Sequence, residues 1–326
     1  MINLLSLGAV EVEVMRPKAG LSLNEIHPFM GPFPSGASAI TISSAARLGW
    51  KCAFVGLMGK DTFGDVVYNR LVADGVNMSG ILRTSRGKAG VAFVSYQSDG
   101  SRNYIFYENP ESKNINKDQF KFDEWGKIDW LHVNGCSIIN GKSWQKTCEF
   151  ALNKVLSNEG KLSFDPNIRI ELADLSFSRK ICFPYISKAT LFMPNEEEIT
   201  GLFDMDLHSS IKEALSLGAG LVVVKKGADG CLIASENDII NVDGFNVQCI
   251  DPTGAGDTFN AAFMFGYSKG LSLKEVGIFA NAVAAISTLK LGPMEGCVNL
   301  KEISDFLKEN GYKNISTKLL EMKEKI

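Results

Sequence analysis

Ten consecutive residues, Ile250-Asp251-Pro252-Thr253-Gly254-Ala255-Gly256-Asp257-Thr258-Phe259, carry the types needed to bind an anion and to take a proton beside it. Gly-Ala-Gly at the start of a helix exposes backbone N–H groups with little side-chain bulk, at the positive end of the helix dipole. Such a turn is a preformed anion site. A carboxylate at its edge, Asp257, repels a bound phosphate if the loop only holds it. It has a purpose if it accepts the proton of a hydroxyl that attacks that phosphate. The plainer alternative is a glycine-rich turn with aspartate as an N-terminal helix cap.

These residues need a scaffold, and the apolar periodicity supplies one. Phe245 to Ile250 reads as a strand ahead of the motif, and Phe259, Ala262, Phe263 and Tyr267 share one face of a helix behind it. Leu4 to Leu7, Cys52 to Leu57, Ile128 to Val133, Lys161 to Phe164, Leu191 to Met193 and Leu221 to Val224 are further short apolar runs. Helical spacing follows in Trp144, Cys148, Ala151, Leu152 and Val155, and again in Val276, Phe279, Ala280 and Val283. Alternation of this kind predicts a parallel sheet covered on both faces. Two stretches break the rhythm. Residues 90–107 read as a hairpin turning at Ser98-Asp99-Gly100, and Glu11 to Met15 alternates before a loop up to Pro34. Together they predict a small, half-exposed antiparallel sheet beside one large domain.

The ten-residue string resembles the C-terminal signature of the ribokinase-like (PfkB) sugar kinases, Asp-x-Thr-Gly-Ala-Gly-Asp-x-Phe. Six further segments resemble that family in order along nearly the whole chain. They are Ser35-Gly36-Ala37 with Ala45-Ala46-Arg47-Leu48-Gly49; Gly59-Lys60-Asp61-Thr62-Phe63-Gly64; Asp99-Gly100-Ser101-Arg102; Asp165-Pro166-Asn167-Ile168-Arg169; Asn195-Glu196-Glu197-Glu198; and Lys226-Gly227-Ala228-Asp229-Gly230. The resemblance implies a three-layer α/β fold with a mostly parallel central sheet, one kinase domain over residues 1–326, and a β-sheet lid from residues 10–34 and 88–108. It also implies transfer of the ATP γ-phosphoryl group to a sugar hydroxyl. Asp257 would be the base, with the N–H groups of Gly254, Ala255 and Gly256 stabilising the transferred charge. Asn195 and Glu198 would organise Mg²⁺ through its waters; read alone, they are a helix cap and an acidic first turn. Lys225, Gly227, Gly230 and Asn281 would line the nucleotide, although paired lysines at a strand end are more often solvated. Asp251 and Thr253 permit a monovalent cation such as K⁺.

On the sugar side the resemblance points to Glu13, Ser35, Gly36, Ala37, Arg102, Asn167 and Arg169, with departures. Where the family carries Gly-Glu-x-x-x-Asp, this chain reads Gly8-Ala9-Val10-Glu11-Val12-Glu13, so one carboxylate is lost and the other is a methylene longer. Ile40 stands where an asparagine would bond a hydroxyl, with Ser38 as a candidate substitute. The pattern is similar to fructokinase, 2-keto-3-deoxygluconate kinase and tagatose kinase-like members, and a ketohexose or a sugar acid is the expected substrate. A nucleoside kinase and a silent sugar sensor share the fold.

Other classes are argued against by composition. The 34 Lys+Arg and 37 Asp+Glu of 326 residues give a net charge of −3, too little positive charge for a nucleic-acid partner. Seven scattered cysteines without a Cys-x-x-Cys fit a reducing compartment without disulfides or structural zinc. Met1 to Gly8 reads as a buried first strand, and no apolar run reaches the ~20 residues of a membrane span. A cytoplasmic protein is expected. Gly135 to Ser143 approaches a P-loop but has five residues between its glycines, and no third glycine completes a dinucleotide fingerprint, which sets an NAD(P) oxidoreductase aside. His27, His132 and His208 sit in no motif. Phe93, Tyr104 and Phe106 give the lid an apolar face that predicts a homodimer.

Overall fold

The computed structural model describes residues 1–97, 102–108, 114–168 and 173–323. Its thirteen strands are β1 Ile2–Leu7, β2 Glu11–Met15, β3 Met30–Ser35, β4 Cys52–Gly59, β5 Asn77–Thr84, β6 Gly90–Tyr96, β7 Arg102–Tyr107, β8 Ile128–Asn134, β9 Lys161–Asp165, β10 Leu191–Phe192, β11 Leu221–Lys225, β12 Cys231–Ala234 and β13 Ile239–Val242. Nine form a central sheet in the order β13-β12-β11-β10-β9-β8-β1-β4-β5. Pairing is parallel from β10 and β11 through to β5, and antiparallel only where β12 and β13 extend one edge.

Successive strand residues point to opposite faces, so an apolar run must feed two cores. Leu4, Cys52, Phe54 and Val223 belong to one core, with the helices Ala37–Arg47, Ala255–Ser268 and Leu273–Ser287. Leu5, Leu7, Ala53, Val55, Val222 and Val224 belong to the other, with the helices Lys142–Leu156, Leu175–Ile186, Glu196–Phe203 and Leu207–Leu217. The result is three layers. Trp144, Cys148, Ala151, Leu152 and Val155 are all buried, as their spacing predicts, and each fully buried aliphatic side chain contributes roughly 1.5–3 kcal/mol.

The chain leaves β1 toward β4 and β5, then crosses back to β8 on β1's other side. This reversal opens a crevice outside the carboxyl ends of β1 and β8, where open α/β sheets bind ligands. The small sheet, β3-β2-β6-β7, stands over that crevice. It is mixed rather than antiparallel, because β2 pairs with β6 in parallel while β3 and β7 return beside them. β2 and β6 both leave the central sheet at its carboxyl end, which sets them running the same way. The 90–107 hairpin forms, with Tyr96 opposite Arg102 and Val91 opposite Tyr107; its Asp99-Gly100 turn lies outside the described residues.

Two more expectations change. Phe245 to Ile250 joins no ladder and instead lines a cavity, with Phe245 packed on Phe306 and Tyr312. Tyr104 and Phe106 turn inward onto Met15, Ala92 and Val94, while Ile105 and Tyr107 face out. None of the seven cysteines, all among the described residues, is in a disulfide. His132 is buried with Nδ1 2.9 Å from the Ser163 hydroxyl, and burial pushes its pKa down to about 4, as a neutral structural histidine requires. No helix among the described residues is long and apolar enough to cross a membrane.

Candidate active site

Gly254 takes φ +80° immediately before the helix Ala255–Ser268. A Cβ there would lie 2.6 Å from the Pro293 carbonyl oxygen and 3.2 Å from Ile40 Cγ2, so backbone conformation and space both demand glycine. Ile40, where the sequence departs from the family pattern, is therefore a floor under this turn. Gly254→Ala should cost about 1–3 kcal/mol of stability, read as a lowered Tm, because left-handed strain and the clash with Pro293 add. A Tm unchanged within a degree would contradict that packing.

Asp257 sits in the first turn of that helix, 8% exposed. It lines two adjoining cavities. The smaller, about 110 Å³, is bounded by Ala9, Glu13, Ser35, Gly36, Ala37, Ile40 and the inner lid rings Tyr104 and Phe106. The larger, about 910 Å³, is bounded by Asn195, Glu198, Lys225, Gly227, Gly230, Asn281 and the Gly254-Ala255-Gly256 turn. Asp257, Gly254, Asn167 and Arg102 line both. Glu13, Ser35, Gly36 and Ala37 thus fall on one side of Asp257 and the sequence-derived nucleotide residues on the other, with Arg102 and Asn167 between. Arg169 lies outside the described residues.

On the small side, the Ser35 hydroxyl donates to Glu13 Oε1 at 2.6 Å, and Glu13 Oε2 has no hydrogen-bond partner among the described residues. Burial raises the Glu13 pKa to about 8; the Ser35 bond and Arg102 pull against this, while Glu11 and Asp251 add to it. Ser38 gives its proton to the Leu7 carbonyl and accepts from Asn134, so that hydroxyl is not a spare donor. Asn167 adopts φ +38°, which asparagine tolerates better than most residues, and its N–H donates to Asp165 Oδ1 at 3.0 Å. Its side-chain Oδ1 is buried without a partner among the described residues.

On the large side, the Lys225 side chain is only 13% exposed and is paired rather than freely solvated. Its Nζ donates to Asp165 Oδ2 at 2.6 Å, and Asn260 donates to the same oxygen at 2.5 Å. Burial works against its charge, but Asp165, Glu198 and Asp257 outweigh that and hold its pKa above the usual lysine range. Asn195 and Glu198 form a reciprocal cap at 2.8 Å each, and Glu198 also accepts from Ile168 N–H at 2.9 Å. Glu198 also lines the larger cavity, where a carboxylate can accept from coordinated water. Among the described residues, no cluster of three or more His, Cys, Asp or Glu could hold a metal directly. Gly230, at φ +93°, closes a turn in which a Cβ would meet Val242 O at 2.1 Å, and Asn281 donates to Val242 and Asp243 carbonyls.

Two features escaped sequence reasoning. Asp165 and Asn260, which seat Lys225, gave no signal beyond Asp165's place in its motif. Tyr96 bonds Asp251 Oδ1 and Thr253 Oγ1 from 155 and 157 residues away, a separation no local pattern reveals. With Thr253 N–H at 2.9 Å and Gly292 N–H at 2.8 Å, three donors already occupy the Asp251 carboxylate. These donors fix the orientation of the Asp251 carboxylate, with Oδ1 taking two of them and Oδ2 one.

A model of the pfkB family of carbohydrate kinases matches residues 1–300. The chain belongs to that family. This pfkB member is 30% identical to fructokinase-2 of Oryza sativa over 300 residues, 88% of each chain. It is also 30% identical to an uncharacterised sugar kinase of Archaeoglobus fulgidus, over 77% of this chain and 96% of the other. A candidate ribokinase II of E. coli has been solved alone and with ATP and Mg²⁺. It superposes with TM-scores of 0.88 and 0.87 at 31% identity, covering 95% of this chain and 100% of the other. The pfkB chain is a carbohydrate kinase with the α/β fold its sequence motifs imply.

Proposed function

We propose that this kinase transfers the γ-phosphoryl group of ATP to a hydroxyl of a ketohexose or of a sugar acid of the 2-keto-3-deoxygluconate type. The carrying observation is that Asp257 stands at the junction of the small cavity beneath the lid and the large cavity beside the glycine turn. The sugar sits over Glu13, Ser35, Gly36, Ala37 and Asn167, beneath the lid and beside Arg102. ATP, which the E. coli relative binds together with Mg²⁺, would lie along Gly227, Gly230 and Asn281, with its terminal phosphates at Lys225 and the Gly254 turn.

Asp257 takes the proton of the attacking hydroxyl, whose oxygen forms the new bond to phosphorus as the ADP oxygen leaves. The N–H groups of Gly254 and Gly256 face the charge on the transferring group, while that of Ala255 donates to the Pro252 carbonyl at 3.3 Å, and a loose transition state asks mainly for this positioning. Lys225, held by Asp165 and Asn260, is a fixed positive charge at the same place. Mg²⁺ would be held by the nucleotide and through water by Asn195 and Glu198, and it would neutralise phosphate charge. No step is assigned to K⁺.

ADP release with Mg-ATP against fructose, tagatose, psicose, ribose, 2-keto-3-deoxygluconate and several nucleosides tests the reading. A signal for one ketohexose or sugar acid, lost in Asp257→Asn, is expected. A nucleoside as sole substrate would replace the sugar assignment, and silence with ATP bound would favour a sugar sensor.

We further propose one domain whose lid, residues 10–34 and 88–108, pairs two copies of the chain. Tyr107 is 64% exposed and Ile105 45%, beside Phe29 and Met30 on the same outer lid region, an apolar surface that solvent disfavours. Sedimentation at micromolar concentration should give a dimer, and Ile105→Asp a monomer. A monomeric parent protein would contradict this.

A further inference from the structure

The lid reaches the anion-binding turn at a polar contact that phosphoryl transfer itself does not require. Tyr96, the last residue of β6, bonds both Asp251 Oδ1 and Thr253 Oγ1. A carboxylate can only accept, so the phenol's single proton goes to Asp251 and the Thr253 hydroxyl donates to the phenol oxygen. Asp251, 1% exposed, also takes the N–H groups of Thr253 and Gly292. Gly292 and its neighbours are in turn packed against the lid. Leu291 joins the lid's apolar cluster, and a Cβ on Gly292 would lie 2.6 Å from Phe33 Cδ1 of β3. Pro293, next in the chain, has its carbonyl oxygen against Gly254.

We propose that the Tyr96 hydroxyl is a positioning group that couples closure of the lid to the shape of the Thr253–Gly256 turn. Lifting the lid withdraws one donor from a buried carboxylate, and a buried anion short of a donor is costly. The turn and the lid therefore move together. The N–H cradle is fully set only when the lid is down, which a bound sugar favours. Whenever the lid lifts, ATP meets a slack turn, and wasteful hydrolysis is suppressed. The kinetic part of this inference rests on the kinase reading above; the structural coupling does not.

The test compares Tyr96→Phe, which keeps the ring in the lid, with Tyr96→Leu, which does not. In the ligand-free, full-length protein, amide hydrogen exchange of peptides covering residues 251–256 and 290–294 should rise about tenfold in both variants, with β1 and β8 unchanged. If the ring alone matters, Tyr96→Phe exchanges like the parent protein, and the coupling is overturned whatever the substrate. With the sugar found by ADP release, Tyr96→Phe should lower kcat about tenfold or more while the KM for ATP stays within threefold. A kcat within twofold overturns the catalytic consequence. A parent protein with no sugar-dependent ADP release would defeat the kinase reading, and the exchange result would still decide the coupling.

Discussion

Asp257→Asn should lower kcat by about a thousandfold or more while leaving ATP affinity within a few-fold. Asparagine has the same shape, and the first turn of the helix Ala255–Ser268 tolerates it, so the Gly254-Ala255-Gly256 cradle should survive. What is lost is the one carboxylate among the described residues that lines both cavities and can take a proton. Lys225 remains charged in the variant because its close partner is Asp165, at 2.6 Å. The expected signature is thus a collapse of turnover without a collapse of nucleotide binding, read by ADP release and by calorimetry with ATP. A kcat within tenfold of the parent would remove Asp257 as the base. Loss of ATP binding together with turnover would make it a structural group of the turn.

The sequence carried the scaffold well wherever local periodicity and burial coincide. Each apolar strand run from Leu4 to Val224 lies in the central sheet, and the Trp144 and Val276 faces are buried as spaced. The collinear motifs placed residues from Glu13 to Asn281 around one crevice, although their roles were borrowed from a resemblance. What escaped depends on distance in the chain. Phe245 to Ile250 has the composition of a strand, but no neighbouring strand offers it a ladder, and Phe306 and Tyr312 claim Phe245 instead. Period two divides the lid hairpin into two faces without saying which turns inward, so Tyr104 and Ile105 could be told apart only once the lid was seen over the crevice. Lys225 looked solvated because the carboxylate that pairs with it is 60 residues away.

The same blindness to environment hid the behaviour of Glu13, which yields the second large expectation: Glu13→Gln should weaken sugar binding and stabilise the free protein at alkaline pH. The carboxyl is 4% exposed, and burial raises its pKa from 4.5 to about 8. The folded state therefore keeps a proton that the unfolded chain releases. Stability must fall as pH rises from about 4.5 to 8 and level off above that, by roughly 3–5 kcal/mol for a shift of this size. Glutamine has no proton to lose, so denaturant unfolding of Glu13→Gln at pH 9 should show greater stability than the parent, with the difference vanishing near pH 4. Sugar binding runs the other way. Two hydroxyls donating to the carboxylate favour its charged form, so the parent's KM for sugar should fall as pH rises toward 8, with a proton released on binding. An amide accepts less well and brings an N–H₂ group against those hydroxyls, raising KM about ten- to a hundredfold and flattening its pH dependence. Equal stability of the two proteins at pH 9 would mean that Glu13 is not held protonated. An unchanged KM would take it out of the sugar site. Both changes together would make Glu13 a residue kept at a cost to the fold for the sake of the substrate.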